Sequence, residues 1–215
     1  MRRGSSDREP LDPSERLVFF TDAVVAIALT LLVLPLVDLV PESRERGLDL
    51  GGLLRENASR FGSFLLSFVV IFQFWWAHHR LFSHISRLLR PVVSLTLLWT
   101  LSIVFLPVPT AIITAYEPSA GTVGLYVGTL LLTSGSLTLL TLTAYRHPEV
   151  SEGRSPVTRE RLLGSTATTA TLVVALVVGT VFADTVGFFA LLLMFLSAPV
   201  EALVRRRWRA REGRG

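Results

Sequence analysis

The chain lacks cysteine, which excludes disulfide bonds, thiolate metal sites and a cysteine nucleophile. It also lacks lysine, so all 21 of its basic residues are arginine. It has no glycine-rich phosphate loop and no serine-hydrolase elbow, and no ionisable residue lies at the centre of a long apolar run. We therefore expect no catalytic site, no metal site and no cofactor.

Apolar residues are abundant: they make up 50% of the 215 positions and gather into long runs. A run of about 20 apolar residues is long enough to cross the hydrocarbon core of a bilayer as a helix. No cleavage site precedes the first run, so we expect the first helix to be retained. We predict an all-α, polytopic membrane protein with six transmembrane helices, at residues 17–40, 61–77, 91–115, 121–144, 162–183 and 185–204.

The arginines flank these runs unevenly. If the N-terminus is cytoplasmic, 17 arginines lie on the inner side and only 4 on the outer side, which is the positive-inside pattern. We therefore expect a multi-pass protein of the plasma membrane with both termini cytoplasmic. It divides into an N-terminus at 1–15, a six-helix domain at 16–205 and a basic tail at 206–215. A basic end beside a membrane is the ordinary case, so we expect no nucleic-acid partner.

The first run begins with charged and polar residues that are costly to place at the head of a membrane helix. Asp22 needs a partner or water there, and Arg16, six positions earlier, faces a different part of the helix surface. We therefore expect a partner on another helix. The candidate donors at the inner end of the second run are Trp75, Trp76, His78, His79 and Arg80.

One face of the first predicted helix carries Phe20, Ala23, Ile27, Thr30 and Leu34, because their spacings are three or four residues. Periodicity alone favours ordinary packing for Ile27 and Leu34. It also favours a hydrogen bond from Thr30 back to its own helix. The face is defined by the sequence, but its role is not.

Three histidines near the end of the second run, at positions 78, 79 and 84, suggest a metal or haem site. Adjacent histidines point to different sides of a helix, however, and no acidic residue follows three or four positions later. We expect these side chains to be hydrogen bonded or interfacial.

Together these motifs resemble the bacterial transmembrane protein 175 family, whose members are potassium channels unlike the classical ones. The resemblance covers roughly residues 16–205 and combines three ordered motifs with six spans. The matching positions are Arg16, Phe20, Thr21 and Asp22 in an Arg-x-x-x-Phe-Ser-Asp pattern, Trp75 and His78 in a Trp-x-x-His pattern, and residues 106–110 in the third span.

The resemblance implies a homotetramer whose first helices line a central pore, without a Thr-Val-Gly-Tyr-Gly filter. It implies an apolar constriction at Ile27, a threonine layer linked to potassium preference at Thr30 and a further apolar ring at Leu34. The network implied to hold the pore helix is Arg16, Phe20, Thr21, Asp22, Trp75 and His78.

The implied function is a potassium-preferring cation channel with passive flux, whose partners are potassium ions, the lipid bilayer and further copies of the chain. An ion-coupled secondary transporter with inverted repeats is the alternative.

Three positions depart from the family pattern. Threonine replaces serine at position 21, which keeps the hydroxyl group, and Thr96 stands where the family pattern has an asparagine. Pro35 follows Leu34 inside the first run and removes a backbone bond to Leu31, which predicts a kink outside the constriction.

Overall fold

The structure, a computed structural model, describes residues 12–117 and 119–181, and every regular element in these ranges is helical. A short 3-10 helix, Pro148–Ser151, lies between the last two α-helices. The α-helices are α1 Pro13–Leu31, α2 Leu34–Val37, α3 Leu39–Glu45, α4 Leu50–Glu56, α5 Ala58–Phe82, α6 Arg90–Phe105, α7 Pro107–Ala115, α8 Ala120–Arg146 and α9 Arg159–Val181.

Within the described ranges, five helical segments are long and apolar enough to cross a membrane. They are Pro13–Glu45, Ala58–Phe82, Arg90–Ala115, Ala120–Arg146 and Arg159–Val181. These segments correspond to the first five predicted spans, so the all-α, multi-pass prediction is confirmed for this part. The sixth predicted span, residues 185–204, and the basic tail at 206–215 lie outside the described residues.

The first span is not one continuous helix. Pro35 has no backbone N–H to donate to the carbonyl of Leu31, and α1 ends at Leu31. The helix resumes as α2 at Leu34, with Pro35 in its first turn, where proline is tolerated. The predicted loss of this backbone bond is therefore seen as an interruption of the helix over two residues.

The segment after the first span, residues 41–60, is mostly helical. Gly47, with a φ of 70°, supplies the left-handed turn after α3. Asp49 then caps α4 by accepting a hydrogen bond from the N–H of Gly52 at 2.7 Å. Arg46 and Glu56 form an ion pair at 2.7 Å that joins the two short helices.

The helix α8 is the centre of the fold, since α6, α7 and α9 all pack against it. Hydroxyl groups join it to its neighbours: Thr133 donates to Ser102 at 2.9 Å, and Thr138 lies 2.7 Å from Ser165. Such interhelical hydrogen bonds stabilise helix pairs in lipid. The helix α1 packs on α5, α6 and α7, and its other side is exposed among residues 12–117 and 119–181.

Candidate functional site

The helix α1 has one buried face and one exposed face. Thr21, Val25 and Ala28 are each about 1% exposed on the side that packs into the bundle. The opposite side forms a row that we call the α1 stripe, which consists of Phe20, Ile27, Thr30 and Leu34. Ile27 is 59% exposed. The predicted constriction residues therefore lie on a surface that the described part of the chain leaves exposed.

Thr30 is the polar member of the α1 stripe. Its hydroxyl donates to the backbone carbonyl of Ile27 at 2.7 Å, as expected for a membrane threonine. Because the proton is used in this bond, the hydroxyl oxygen can act only as an acceptor toward a further ligand. The helix thus places an oxygen acceptor between two apolar side chains.

Leu34 belongs to the α1 stripe although it lies in α2, beyond the break. Its side chain is 53% exposed, close to the 59% of Ile27. Exposed side chains therefore occur on both sides of the interruption, on the long helix α1 and on the short helix α2.

Asp22 lies at the back of α1 and has its partner on α5. The indole Nε1 of Trp75 donates to its Oδ1 at 2.7 Å, and Nδ1 of His79 lies 3.6 Å from its Oδ2. Hydrogen bonds to ionised acceptors are short and strong, and this carboxylate is only 27% exposed. The bond joins α1 to α5 at one defined rotation of each helix.

An aromatic group surrounds this bond. The ring of Trp75 lies 5.3 Å from that of Phe72 and 5.5 Å from that of His79. The rings of Trp76 and His79 are stacked, 6.2 Å apart. These rings limit the rotamers open to Trp75 and so hold its N–H in position.

His78 has a different environment from Asp22. It is fully buried, its ring stacks on that of Trp99 at 4.0 Å, and the ring of Phe82 lies 4.5 Å away. Neither of its ring nitrogens has a hydrogen-bond partner among the described residues. Thr96, one turn from Trp99 on α6, donates instead to the carbonyl of Val92 at 2.7 Å. His78 thus joins α5 to α6 through ring packing.

The remaining predicted network residues do not meet at Asp22. Thr21 is buried, and its hydroxyl donates to the carbonyl of Val18 at 2.8 Å. Arg16 and Phe20 are exposed, and the side chain of Arg16 has no ion pair or hydrogen bond within residues 12–117 and 119–181. Among the described residues, the polar partners of the Asp22 carboxylate are Trp75 and His79.

His79 was one of the five donors predicted for Asp22, and its Nδ1 lies 3.6 Å from that carboxylate. One contact at this site was not predicted from the sequence. This contact is the stacking of His78 on the buried ring of Trp99. Trp99 is the single tryptophan in its apolar run, and that was the only indication in the sequence.

Comparison with known proteins gives the family. A family model described as endosomal/lysosomal potassium channel TMEM175 matches residues 16–107. The chain is 31% identical over 200 residues to a protein named potassium channel from Streptomyces collinus, and the match covers 88% of this chain and 96% of that one. It is 39% identical over 95 residues to the endosomal/lysosomal proton channel TMEM175 of Gallus gallus, which is 42% of this chain and 19% of that one.

A solved structure shares the fold. It is the crystal structure of a lysosomal potassium-selective channel TMEM175 homolog from Chamaesiphon minutus, with a TM-score of 0.69 and 24% sequence identity. The likeness covers 90% of this chain and 98% of that one. The match to the TMEM175 family model and the Streptomyces relative, which aligns over 88% of this chain, together show that this chain belongs to the TMEM175 family.

Proposed function

We propose that this chain is a subunit of a potassium-preferring cation channel that passes ions down their electrochemical gradient. The name of the Streptomyces relative and the description of the Chamaesiphon homolog support this function. The observation that carries the proposal is the α1 stripe, in which Thr30 lies between Ile27 and Leu34 on an exposed face of a membrane helix.

One helix supplies one side chain to each layer of a pore, so several copies of α1 around an axis are needed to close it. In a homotetramer, four Ile27 side chains would form an apolar ring that prevents conduction by excluding water. Leu34 would form a second apolar ring toward the outside. The open side of α1 provides the surface for such an assembly.

Thr30 would give the pore its preference among cations. Its oxygen is an acceptor because its proton is donated to Ile27, so four such oxygens would replace part of the hydration of an ion. Potassium loses its water shell at lower cost than sodium, and the ring therefore favours potassium. With few ligands, this preference is modest.

The residues around Asp22 would hold the pore helix in place. The bond from Trp75 fixes the rotation of α1 about its axis and so the direction in which Ile27 points. Arg16 and Phe20, which are exposed in the single subunit, would contact neighbouring copies. The network is thus divided between contacts within a subunit and contacts between subunits.

The proposed location is the plasma membrane, with both termini cytoplasmic. The 17 arginines expected on the inner side support this orientation.

Ion flux into proteoliposomes tests the proposal. We expect passive potassium flux that exceeds sodium flux in the wild type. Ile27→Ala should raise flux because it widens the constriction, and Thr30→Ala should reduce the preference for potassium because it removes the oxygen layer. Leu101→Ala is the matched control: it shortens an exposed apolar side chain on α6 and should behave as wild type.

Three outcomes would count against this assignment. If neither Ile27→Ala nor Thr30→Ala changes the ion flux, α1 does not line the pore. Saturable, ion-coupled exchange would favour the secondary transporter. A native mass in detergent that differs from the mass of four chains would contradict the proposed homotetramer. Proton flux is recorded in parallel, because the Gallus relative is named a proton channel, and it distinguishes proton conduction from potassium conduction.

A further inference from the structure

The connection between α8 and α9 folds against the inner end of α5. We call residues 147–158 of this connection the inner loop. The backbone N–H groups of Ser86 and Arg87 donate to the carbonyl of Val150 at 2.8 and 3.1 Å. The side chains of Ile85 and Val150 are fully buried. The inner loop is therefore held by both backbone hydrogen bonds and apolar packing.

Arg154 makes the central contact of this interface. Its Nη1 donates to the carbonyl of Phe82 at 2.9 Å and to the carbonyl of Ile85 at 2.6 Å. Phe82 is the last residue of α5, and the final carbonyls of a helix have no donor within the helix and lie at its negative end. A guanidinium group that donates there forms charge-assisted bonds and neutralises this end.

Further bonds hold the inner loop at the same place. Nδ1 of His84 donates to the carbonyl of Ser155 at 2.8 Å, and the hydroxyl of Ser86 donates to the carbonyl of Glu152 at 2.6 Å. From the first turn of α9, Nη1 of Arg161 donates to the carbonyl of Arg80 at 2.7 Å. The end of α5 is thus tied to the segment that joins α8 to α9.

The inner end of α5 is connected to the pore helix by short steps. The ring of Phe82 lies 4.5 Å from that of His78, which stacks on Trp99 of α6. One turn before His78, Trp75 donates to Asp22 of α1. Because α5 is one continuous helix over these positions, displacement of its inner end displaces the donor that holds α1.

We propose that the inner loop is a latch on α5 and that Arg154 is a positioning residue of the pore. By holding the carbonyls at the end of α5, Arg154 sets the position from which Trp75 holds Asp22, and so the balance between conducting and closed conformations. This inference rests on the proposed channel function.

Single-channel recording of purified protein in planar bilayers tests the latch. We expect Arg154→Gln to change the open probability by at least about threefold, in the same direction as Trp75→Phe. The unitary conductance and the potassium-to-sodium permeability ratio should stay at wild-type values, because the α1 stripe is unchanged. Arg154→Lys should return the open probability toward wild type, since lysine keeps the charge and several donors.

The double variant Arg154→Gln/Trp75→Phe measures coupling. If both residues act through the position of α1, its effect should not exceed that of the larger single change. The matched control is Arg146→Gln, which removes the same charge from an exposed position at the end of α8 and should leave the open probability unchanged.

A role in stability alone would reduce the number of channels and leave the open probability of each channel unchanged, and this result overturns the latch. Additive effects in the double variant also overturn it. If Arg154→Gln does not reach the membrane, His84→Ala removes one bond of the same latch. His84→Ala should then shift the open probability in the same direction as Trp75→Phe. An unchanged open probability would overturn the proposal. Absence of current in the wild type would overturn the channel function itself, and the latch with it.

Discussion

Asp22 shows how far a single residue could be understood before the fold was known. A carboxylate in a membrane helix is costly unless it has a partner. Five residues with suitable donors were expected at the same depth as Asp22, so the partner was predicted to be one of these. The rotation of α5 then decided between them: His79, four residues after Trp75, shares its face. His78 is turned by about 100° from His79, toward Trp99. Helix rotation depends on tertiary packing, which periodicity does not contain.

Trp75→Phe removes the indole N–H and keeps an aromatic ring. Because Asp22 then loses its donor at 2.7 Å, we expect the free energy of unfolding in detergent to fall by about 1.5–3 kcal/mol, the usual contribution of a hydrogen bond to a charged group. Thermal unfolding in detergent, followed by tryptophan emission or circular dichroism, measures this loss.

Trp76→Phe is the control for this prediction. Trp76 is adjacent and exposed, and its indole N–H has no hydrogen bond among the residues that the structure describes. We expect a change of less than about 0.5 kcal/mol, as for most surface substitutions. Equal losses for both tryptophans would show that the bond to Asp22 contributes nothing specific.

At the scale of elements, the long helices could be predicted and the short ones could not. A bilayer requires long apolar helices, so hydropathy alone located five spans to within a few residues. The helices α3 and α4, of seven residues each, carry too few turns to show a period. Gly47 and Asp49 were the available signals for a turn and an N-cap. The contacts of the inner loop gave no signal in the sequence, because they join residues far apart in the chain.

Pro35→Ala tests why the first span is broken. Alanine restores the N–H that can donate to the carbonyl of Leu31, so we expect α1 and α2 to join into one helix. Amide hydrogen exchange at residues 32–34 should then slow by about tenfold, because exchange follows the free energy of local opening. Exchange measured by mass spectrometry on peptides from this segment provides the comparison.

Pro91→Ala serves as the control, since Pro91 lies in the first turn of α6, where proline removes no helical bond. Exchange at residues 32–34 should not respond to it. If Pro35→Ala leaves exchange unchanged as well, the break has another cause, such as the packing of Leu32 in the core.

At the scale of the whole molecule, the helices of residues 12–117 and 119–181 form a bundle around α8, with α1 at the edge of this described part. The arginine asymmetry predicts on which side each connection lies, and the helix order then assigns α3 and α4 to the outer side and the inner loop to the cytoplasmic side. The edge position of α1 explains why an assembly of copies is part of the proposed function, whereas sequence motifs could only suggest it by resemblance.

Single cysteines test this orientation, and the chain has no native cysteine to interfere. We expect Ser83→Cys, exposed at the inner end of α5, to react with a membrane-impermeant maleimide only in inside-out vesicles. Leu50→Cys, exposed at the start of α4, should react only in right-side-out vesicles.

The wild type should remain unlabelled in both preparations. Labelling of both cysteines from the same side would contradict the assigned number of crossings between them. If Ser83→Cys reacts only in right-side-out vesicles and Leu50→Cys only in inside-out vesicles, the protein has the opposite orientation and the inner loop lies outside.

The bond between Trp75 and Asp22 has a consequence for observation as well as for stability. An indole that donates to a carboxylate senses a strong local electric field, and both its emission wavelength and the chemical shift of its side-chain N–H depend on that field. Any movement of α1 relative to α5 changes the 2.7 Å contact. Trp75 is therefore a native spectroscopic reporter, placed where the proposed pore helix is held, and it can follow conformational exchange without an added label.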